Sequence, residues 1–345
     1  MTLSTALKTG DLSALPSRRD EDWRWTDLRG LLKVLPPASP QGRAWFWDNP
    51  LSDALDMTGG VVNGRGPTDL AVDAGEERFV GWRFMSATDA TAHGAELWVD
   101  VGEGAKLTLI ESYEGRGKGY VSDVAVNIRL GKDAIVERII FADDDADAIS
   151  VVTAEVTLAP GAKFAQTVLT SGARRQRIET RVRHPGAHAE VRLDGAYLLD
   201  AQRHADLTSV VTHGGLDGVT SQLTKGMVTD QARGVFQGRI VVEKGADQTD
   251  ARMGHHALIL SDKAEIDAKP ELLIFADDVS CAHGNTIGAL NDEVLFYAKQ
   301  RGIPEADAKA MLTVAFVAEV VERIEHEGAR SVAAAWVARK LGSDA

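Results

Sequence analysis

Hydrophobic and polar positions divide the chain into three textures. Residues 1–90 mix short helical patterns with proline and glycine breaks such as LPPASPQG at 35–42. The patch RRDEDWRWTDLRGLLKVL, 18–35, predicts a short helix with Asp20 or Glu21 in its first turn, where negative charge meets the helix dipole favourably. From about residue 95 to 286 the chain switches to short runs with period two: AELWVDV, AKLTLIES, VAVNIRL, AIVERIIF, AEVTL and KFAQTVLT. Val, Ile, Leu and Thr alternating with polar residues predict half-buried strands.

A small turn recurs between these runs, usually Gly or Asp followed by Ala and an apolar residue. It reads GEGAKLT at 102–108, GKDAIVE at 131–137, PGAKFA at 160–165, PGAHAE at 185–190, KGADQT at 244–249 and SDKAEI at 261–266. Its alanines fall at 105, 134, 162 and 187, in steps of 29, 28 and 25, and again at 246 and 264, a step of 18. A strand-turn unit at a fixed period predicts a solenoid, whose rungs bury their inward faces only by stacking. An antiparallel sandwich also gives many short strands with regular turns. The small residue repeated at the corner suits a rung better than a hairpin, and favours a parallel β-solenoid.

From 290 the period becomes helical. NDEVLFYAKQRG, 291–302, has Asn291 placed to cap and Gly302 to stop it. IPEADAKAMLTVAFVAEVVERIEHEG, 303–328, opens with Pro304 and predicts one helix ending at Gly328. Ala308, Leu312, Phe316, Val320 and Ile324 form one apolar stripe, and Val314, Val317 and Val321 a second. Two stripes exceed the one face a surface helix needs, so the helix is either sandwiched within its own domain or offers one stripe to another protein. A last helix spans 329–342.

Composition narrows the class. The 345 residues carry 38 basic and 51 acidic side chains, a net charge of −13, which argues against nucleic acid or an anionic membrane as main partner. No apolar run is long enough to span a membrane, and MTLSTALKTGDLSALP lacks the apolar core of a signal peptide. The one cysteine, Cys281, cannot form an intramolecular disulfide, which fits a reducing cytoplasm.

That cysteine stands in ADDVSCAHGNTIGAL, 276–290, two residues before His283. On a strand the thiol and imidazole project from one face, and a nearby imidazolium would favour the thiolate. The plain alternative is a buried cysteine beside a satisfied histidine. Two ligands are too few for zinc or an iron–sulfur cluster, so a metal here needs ligands from another chain. His255 and His256 are adjacent and face opposite ways. His204 with Asp206, and His184 beside Pro185, suit core or surface roles. The run DDDAD at 143–147 lacks the spacing of a calcium loop and reads as a solvated turn. GRGKGY at 115–120 lacks P-loop spacing, and no nucleophile elbow or dinucleotide fingerprint is present. Adjacent Asp277 and Asp278 give a polysaccharide-cleaving site little support.

With these residues in view, KPELLIFADDVSCAHGNTIGALNDEVLFYAKQRGIPEADAKAMLTVAF, 269–316, strongly resembles the C-terminal signature of the SufB/SufD family of iron–sulfur cluster assembly scaffolds. HADLTSVVTHGG at 204–215, QLTKGMVTDQARGVFQGRIVVEKGADQTDA at 222–251 and LILSDKAEID at 258–267 look like the same family's solenoid core. The absence of further cysteines, the Cys-x-His-Gly string at 281–284 and EDWRWTDL at 21–28 are similar to its SufD branch. The resemblance implies a mainly β chain: a right-handed parallel β-helix at 93–286, between an N-terminal helical or mixed domain at 1–92 and a C-terminal helical domain at 287–345. It implies a non-catalytic scaffold that pairs with SufB through the β-helix and docks the ABC-type ATPase SufC on its C-terminal helices. Leu295, Phe296, Tyr297, Arg301, Met311 and Phe316 would form that dock. His283 would be an iron or cluster ligand facing the partner, with Cys281 as helper at a transient cluster shared with SufB. A purely structural role beside SufB is the alternative. Reduced flavin in the assembled complex and a homodimer of the isolated chain complete what the resemblance implies.

Overall fold

The computed structural model of the chain describes residues 2–40, 55 and 59–342. Residues 41–54 and 56–58 of the expected N-terminal domain, and 343–345 of the C-terminal one, lie outside the described residues. Among the described residues seventeen strands run from β1 (Gly59–Val62) to β17 (Val279–Gly288), all pairing in parallel. Odd-numbered strands form a nine-stranded sheet, β1-β3-β5 through β17, and even-numbered strands an eight-stranded one. Each coil therefore contributes one strand to each sheet, which makes a flattened β-solenoid and removes the antiparallel sandwich.

Strand pairing begins at Gly59, so the first coils lie inside the segment 1–92 that the sequence pattern assigned to a separate unit. The reason is visible in β3 (Glu77–Ser86), where every residue from Val80 to Ser86 is buried. With both faces covered, period-two alternation disappears and FVGWRFM no longer reads as a strand.

The turn alanines resolve into two rows. Ala105, Ala134 and Ala162 close corners leading from even to odd strands, each with an amide donating to the carbonyl three residues back. Ala148, Ala232 and Ala264 do the same at the opposite corners, and Ala246 joins the first row. The step from 246 to 264 is short because it passes from one side of the coil to the other. Ala187 is a misreading: Lys163 pairs with Glu190, so the residue matching Ala162 is Ala189, which is fully buried. The coil period there is 27 residues (162 to 189).

The core between the sheets holds polar groups as well as apolar ones. On β7 (Ile135–Asp143), Arg138 points inward, fully buried. Its guanidinium donates to both Glu111 carboxylate oxygens at 2.7 Å and to Gln166 at 2.8 Å, and Tyr113 donates to Glu111 at 2.7 Å. A buried charge is tolerable only when satisfied in this way. At a corner, His184 and His213 lie in register and meet edge to face with ring nitrogens 2.7 Å apart, and His213 reaches Thr220 at 2.9 Å. Burial holds their pKa values down, to about 4 and about 3, so both rings are neutral in the fold. The unfolded chain binds protons at these sites below pH of about 6.5 and the fold does not, so stability is full above that pH and drains away toward pH 3. Resistance to urea is expected to fall steadily below pH of about 6.5, and His213→Asn to flatten that slope; an unchanged slope would show that the pair does not drive it.

Both outer faces are covered. Helices α4 (Glu305–Val321) and α5 (Glu327–Lys340) lie on the odd sheet, where Val317, Val320, Ile324, Trp336 and Val337 pack on Ile139, Phe141 and Leu198. The expected single helix 303–328 breaks after Val321, and Gly328 lies inside α5 rather than ending a helix. Glu137 causes the break: its carboxylate accepts from the amides of Glu325 and His326 at 2.6 and 2.9 Å, and His326 then caps α5. Α1 (Leu3–Thr9) and the chain up to Leu32 cover the start of the even sheet, with Leu3, Ala6, Leu15 and Leu28 against Val121 and Ile149.

The patch 18–35 is not the helix its pattern predicts. It forms a single 3-10 turn at Glu21–Trp23 and a one-turn helix, α2 (Leu28–Leu31). Backbone carbonyls that a helix would occupy serve the sheet instead: Asp22 O accepts from Arg177 and Gln237, and Trp25 O faces His204. Thr26 donates to Asp206 at 2.5 Å, Asp22 pairs with Arg239, and Glu21 with Lys269. The segment is a clasp across β10 (Arg175–His184), β12 (His204–His213), β14 (Arg233–Val242) and β16 (Glu265–Ile274).

Candidate functional site at the open coil

The pairing register carries one inward row through the odd sheet: Arg138, Gln166, Leu193, Gln222, Met253 and His283. A neighbouring row sets Ala251 beside Cys281, and a third His255 beside Asn285. Residues of these rows are buried up to β15 (Thr249–Ile259) because another coil stacks above them. On β17 no described coil follows, so positions designed as core lie open. Cys281 is half-buried, while His283, Asn285 and Ile287 are exposed. On the even side β16 is the last strand; most of it is half-buried, and its end at Leu273 and Ile274 is exposed. Leu273, Ile274, Ile287 and, at 64% exposure, Phe275 rim this mouth. Edge strands carry rows of backbone donors and acceptors without a ladder partner, and a long apolar-rimmed edge is a template for another strand.

Cys281 and His283 lie on one face, with Cα atoms about 7 Å apart along an ideal strand, as the sequence spacing predicts. The thiol does not acquire the thiolate character expected beside an imidazole. Burial pushes its pKa above the ordinary value and the Asp250 carboxylate adds to this, against one backbone hydrogen bond from Ala251. Among the described residues no three His, Cys, Asp or Glu side chains gather closely enough to hold a metal ion. Among the described residues Cys281 and His283 are two donors, short of the four that a tetrahedral site needs.

The adjacent histidines place this strand. His255 is fully buried, its ring stacked on Phe236 at 4.7 Å. Burial, then the neighbouring His256, lower its pKa to about 4 despite the Asn285 hydrogen bond, so one ring nitrogen donates and the other accepts. Nδ1–H donates to Asn285 Oδ1 at 2.7 Å, and Nε2 accepts from the Tyr197 hydroxyl at 2.8 Å. On the opposite face His256 meets Thr286 at 2.6 Å. The two rings clamp β17 from both sides, which gives the His-His pair its meaning. Sequence reasoning missed Asn285 and Tyr197: the step from His255 to Asn285 is 30 residues (255 to 285), longer than the steps between the turn alanines, so their period does not reach it.

The helical region holds a second exposed patch. Α3 (Asp292–Gln300) is capped by Asn291, whose side chain accepts from the Glu293 and Val294 amides, and Gly302 ends it with φ +83°, as the pattern predicts. Phe296, Tyr297 and Met311 are each more than half exposed. Arg301 donates to the Tyr297 hydroxyl at 2.8 Å and sits over its ring. Leu295 is partly buried. Phe316 turns toward the solenoid, where the Lys225 ammonium lies 4.5 Å from its ring. Both predicted stripes of the long helix thus serve largely inside the molecule, and the exposed apolar surface lies on α3 and Met311.

Other predicted features settle elsewhere. His204 and Asp206 share the outer face beneath the clasp. In DDDAD, Asp144 is buried and accepts from Tyr120 at 2.6 Å and Gln176 at 2.8 Å, so that turn is only partly solvated. No described helix is long and apolar enough to cross a membrane.

Comparison with known proteins adds a direct finding. The domain described as "SUF system FeS cluster assembly, SufBD core domain" matches residues 84–316. The iron-sulfur cluster assembly protein SufD of Escherichia coli (strain K12) is 28% identical over 98% of this chain and 91% of its own length. An iron-sulfur cluster assembly SufBD family protein of Synechocystis is 29% identical, covering 70% of this chain and 56% of that protein. The SufD of Bacillus subtilis (strain 168) is 32% identical over 39% of this chain and 31% of its own length. The similarity extends through the open coil and onto α4.

Proposed function

We propose, from the premise that this chain belongs to the SufBD family of the SUF iron–sulfur cluster assembly system, that it is a scaffold subunit whose open coil is one half of an assembly site. Its likeness to SufD-type proteins makes it a SufD-type member with a role in iron–sulfur cluster assembly. The observation that carries the finer reading is the unstacked terminal coil, with Cys281 and His283 on neighbouring inward rows where the next coil would sit. A second solenoid, SufB, stacking on this end would satisfy the edge and bring its own ligands to His283. Cluster iron and sulfide are cargo at this junction, bound while the cluster is built, with Cys281 as a helper whose raised pKa keeps it a thiol until metal displaces the proton.

The scaffold is non-catalytic in this reading, and works in the cytoplasm. Energy comes from SufC, a separate ATPase seated on Phe296, Tyr297, Arg301 and Met311, with Leu295 and Phe316 behind them. Support comes from an exposed aromatic and arginine patch, the composition that anchors protein interfaces. Reduced flavin joins the assembled complex in this reading, and the isolated chain covers its open end by pairing with itself.

Anaerobic affinity capture of the tagged full chain from its own cell extract tests this. Recovery of a second solenoid protein and a Walker-motif ATPase, identified by mass spectrometry, with iron and labile sulfide in the same fraction, is the expected result. Recovery of the chain free of both proteins and of iron would remove the shared-site reading and leave the fold standing.

A further inference from the structure

Away from the open coil, one cleft concentrates positive charge on a chain of net charge −13. It measures about 410 Å³ and follows the corners where odd strands lead into even ones. Successive corners each add a donor: Arg174 and Arg175 at the start of β10, Gln202 before β12, Gln231 and Arg233 at β14, and Lys263 before β16. Stacked coils bring these within one opening although they span ninety residues of sequence (174 to 263).

Charge compensation is uneven. Arg233 is held by Asp267 at 2.7 Å and by Glu265 at 3.5 Å, which fixes its guanidinium in the wall. Arg174, Arg175 and Lys263 make no ion pair among the described residues. Arg175 is half-buried and its Nε is wholly buried without a hydrogen-bond partner. Burial, and then repulsion from Arg233 with a smaller part from Arg174, hold its pKa below the usual arginine range, although the Asp27 carboxylate works against them without pairing with it. Between the arginines, His204 pairs with Arg233 in the ladder and stays neutral, its pKa lowered to about 3 by burial and by Arg175. The ring adds no charge, and the one carboxylate in the lining, Glu265, is turned to Arg233.

Cations that face one opening without an ion-pair partner repel one another, and an anion in the cleft relieves that repulsion. Guanidinium forks match tetrahedral oxyanions through paired charge-assisted bonds, and a cleft of this size takes a small molecule rather than a macromolecule. Leu31 supplies the one aliphatic wall, with no ring besides His204 to stack on a base, so recognition rests on the anion itself.

We infer that this cleft is a binding site for a small diphosphate-class anion, gripped by Arg174, Arg175 and Lys263 beside the fixed Arg233. The site is distinct from the open coil and does not depend on the reading of that coil.

Titration calorimetry of the full-length chain with inorganic pyrophosphate at low ionic strength tests it. Saturable binding is expected, weakened by added salt, and at least about tenfold weaker in an Arg175→Gln/Lys263→Gln variant. Arg175→Lys keeps the charge and loses the fork, and should fall between the two. Melting temperatures within a few degrees of the parent show that the variants fold; Arg129→Gln, on the exposed sheet surface, should bind like the parent. Absence of saturable binding to the parent at millimolar pyrophosphate overturns the site, as does equal binding by the double variant. Citrate binding as tightly as pyrophosphate overturns the phosphate assignment.

Discussion

Arg177→Ala is expected to cost about 3–5 kcal/mol of folding stability, read as a lower urea midpoint with the same slope. Arg177 is fully buried beneath the clasp. Its Nη1 donates to Asp206 at 2.6 Å and to the Asp22 carbonyl at 2.8 Å, while Nε and Nη2 donate to Glu179 at 3.0 and 2.9 Å. The guanidinium also lies 4.4 Å from the Trp23 ring. Alanine would leave two buried carboxylates facing each other with only Thr26, Thr208, Gln237 and Arg181 to satisfy them. Removing one member of such a network costs far more than the network contributes, because the stranded charge keeps its desolvation penalty. A loss below about 1 kcal/mol would mean that water reaches Asp206 and that the clasp is not sealed.

The second large effect concerns chemistry rather than stability. His283→Ala is expected to abolish iron and labile sulfide in the captured complex while both partner proteins still co-purify. His283 is exposed on the terminal strand, so truncation opens no cavity and the melting temperature should hold within about a degree or two. The strand is fixed by groups on either side of it, His255 to Asn285 and His256 to Thr286, none of which the substitution touches. Loss of the partners together with the metal would assign His283 to the interface alone. Retention of iron and sulfide would remove it from the ligand set. Cys281→Ser should do less, because its thiol begins protonated and half-buried.

The solenoid was legible because its period is written into the corners, where only a small residue fits between stacked turns. Its beginning was not, since β3 is covered on both faces and loses alternation. The register slip at Ala187 arose from a five-residue corner, and the alanine at 189 carries the inward position. The core's ion pairs were illegible for a related reason: Arg138 falls on an inward position that period-two reading expects to be apolar, and the coil-to-coil neighbours Glu111 and Gln166 make it acceptable there. At the open coil, Cys281 and His283 could be picked out by residue type and spacing. His255 could be noticed, but its partners Tyr197 and Asn285 could not, because their link runs over three coil-to-coil steps and appears only once the register is known. The clasp read as a helix because its charges suit a first turn, whereas its carbonyls are spent on side chains 155 to 215 residues away.

That distance has a kinetic meaning. Coils can stack one on the next as the chain emerges, each closing a loop of about thirty residues, and contacts of such short span form early. The clasp joins residues 21 and 22 to Lys269 and Arg239, 248 and 217 positions later, and closes when nearly the whole solenoid exists. Glu21 reaches Lys269 on β16, in the same last coil that presents His283 on β17. An interrupted chain could build most of its coils and still lack the fastened end. Closure of the N-terminal clasp therefore works as a completion check, tying the last strand pair to the first thirty residues, so that a truncated subunit offers its partner an unfastened rim.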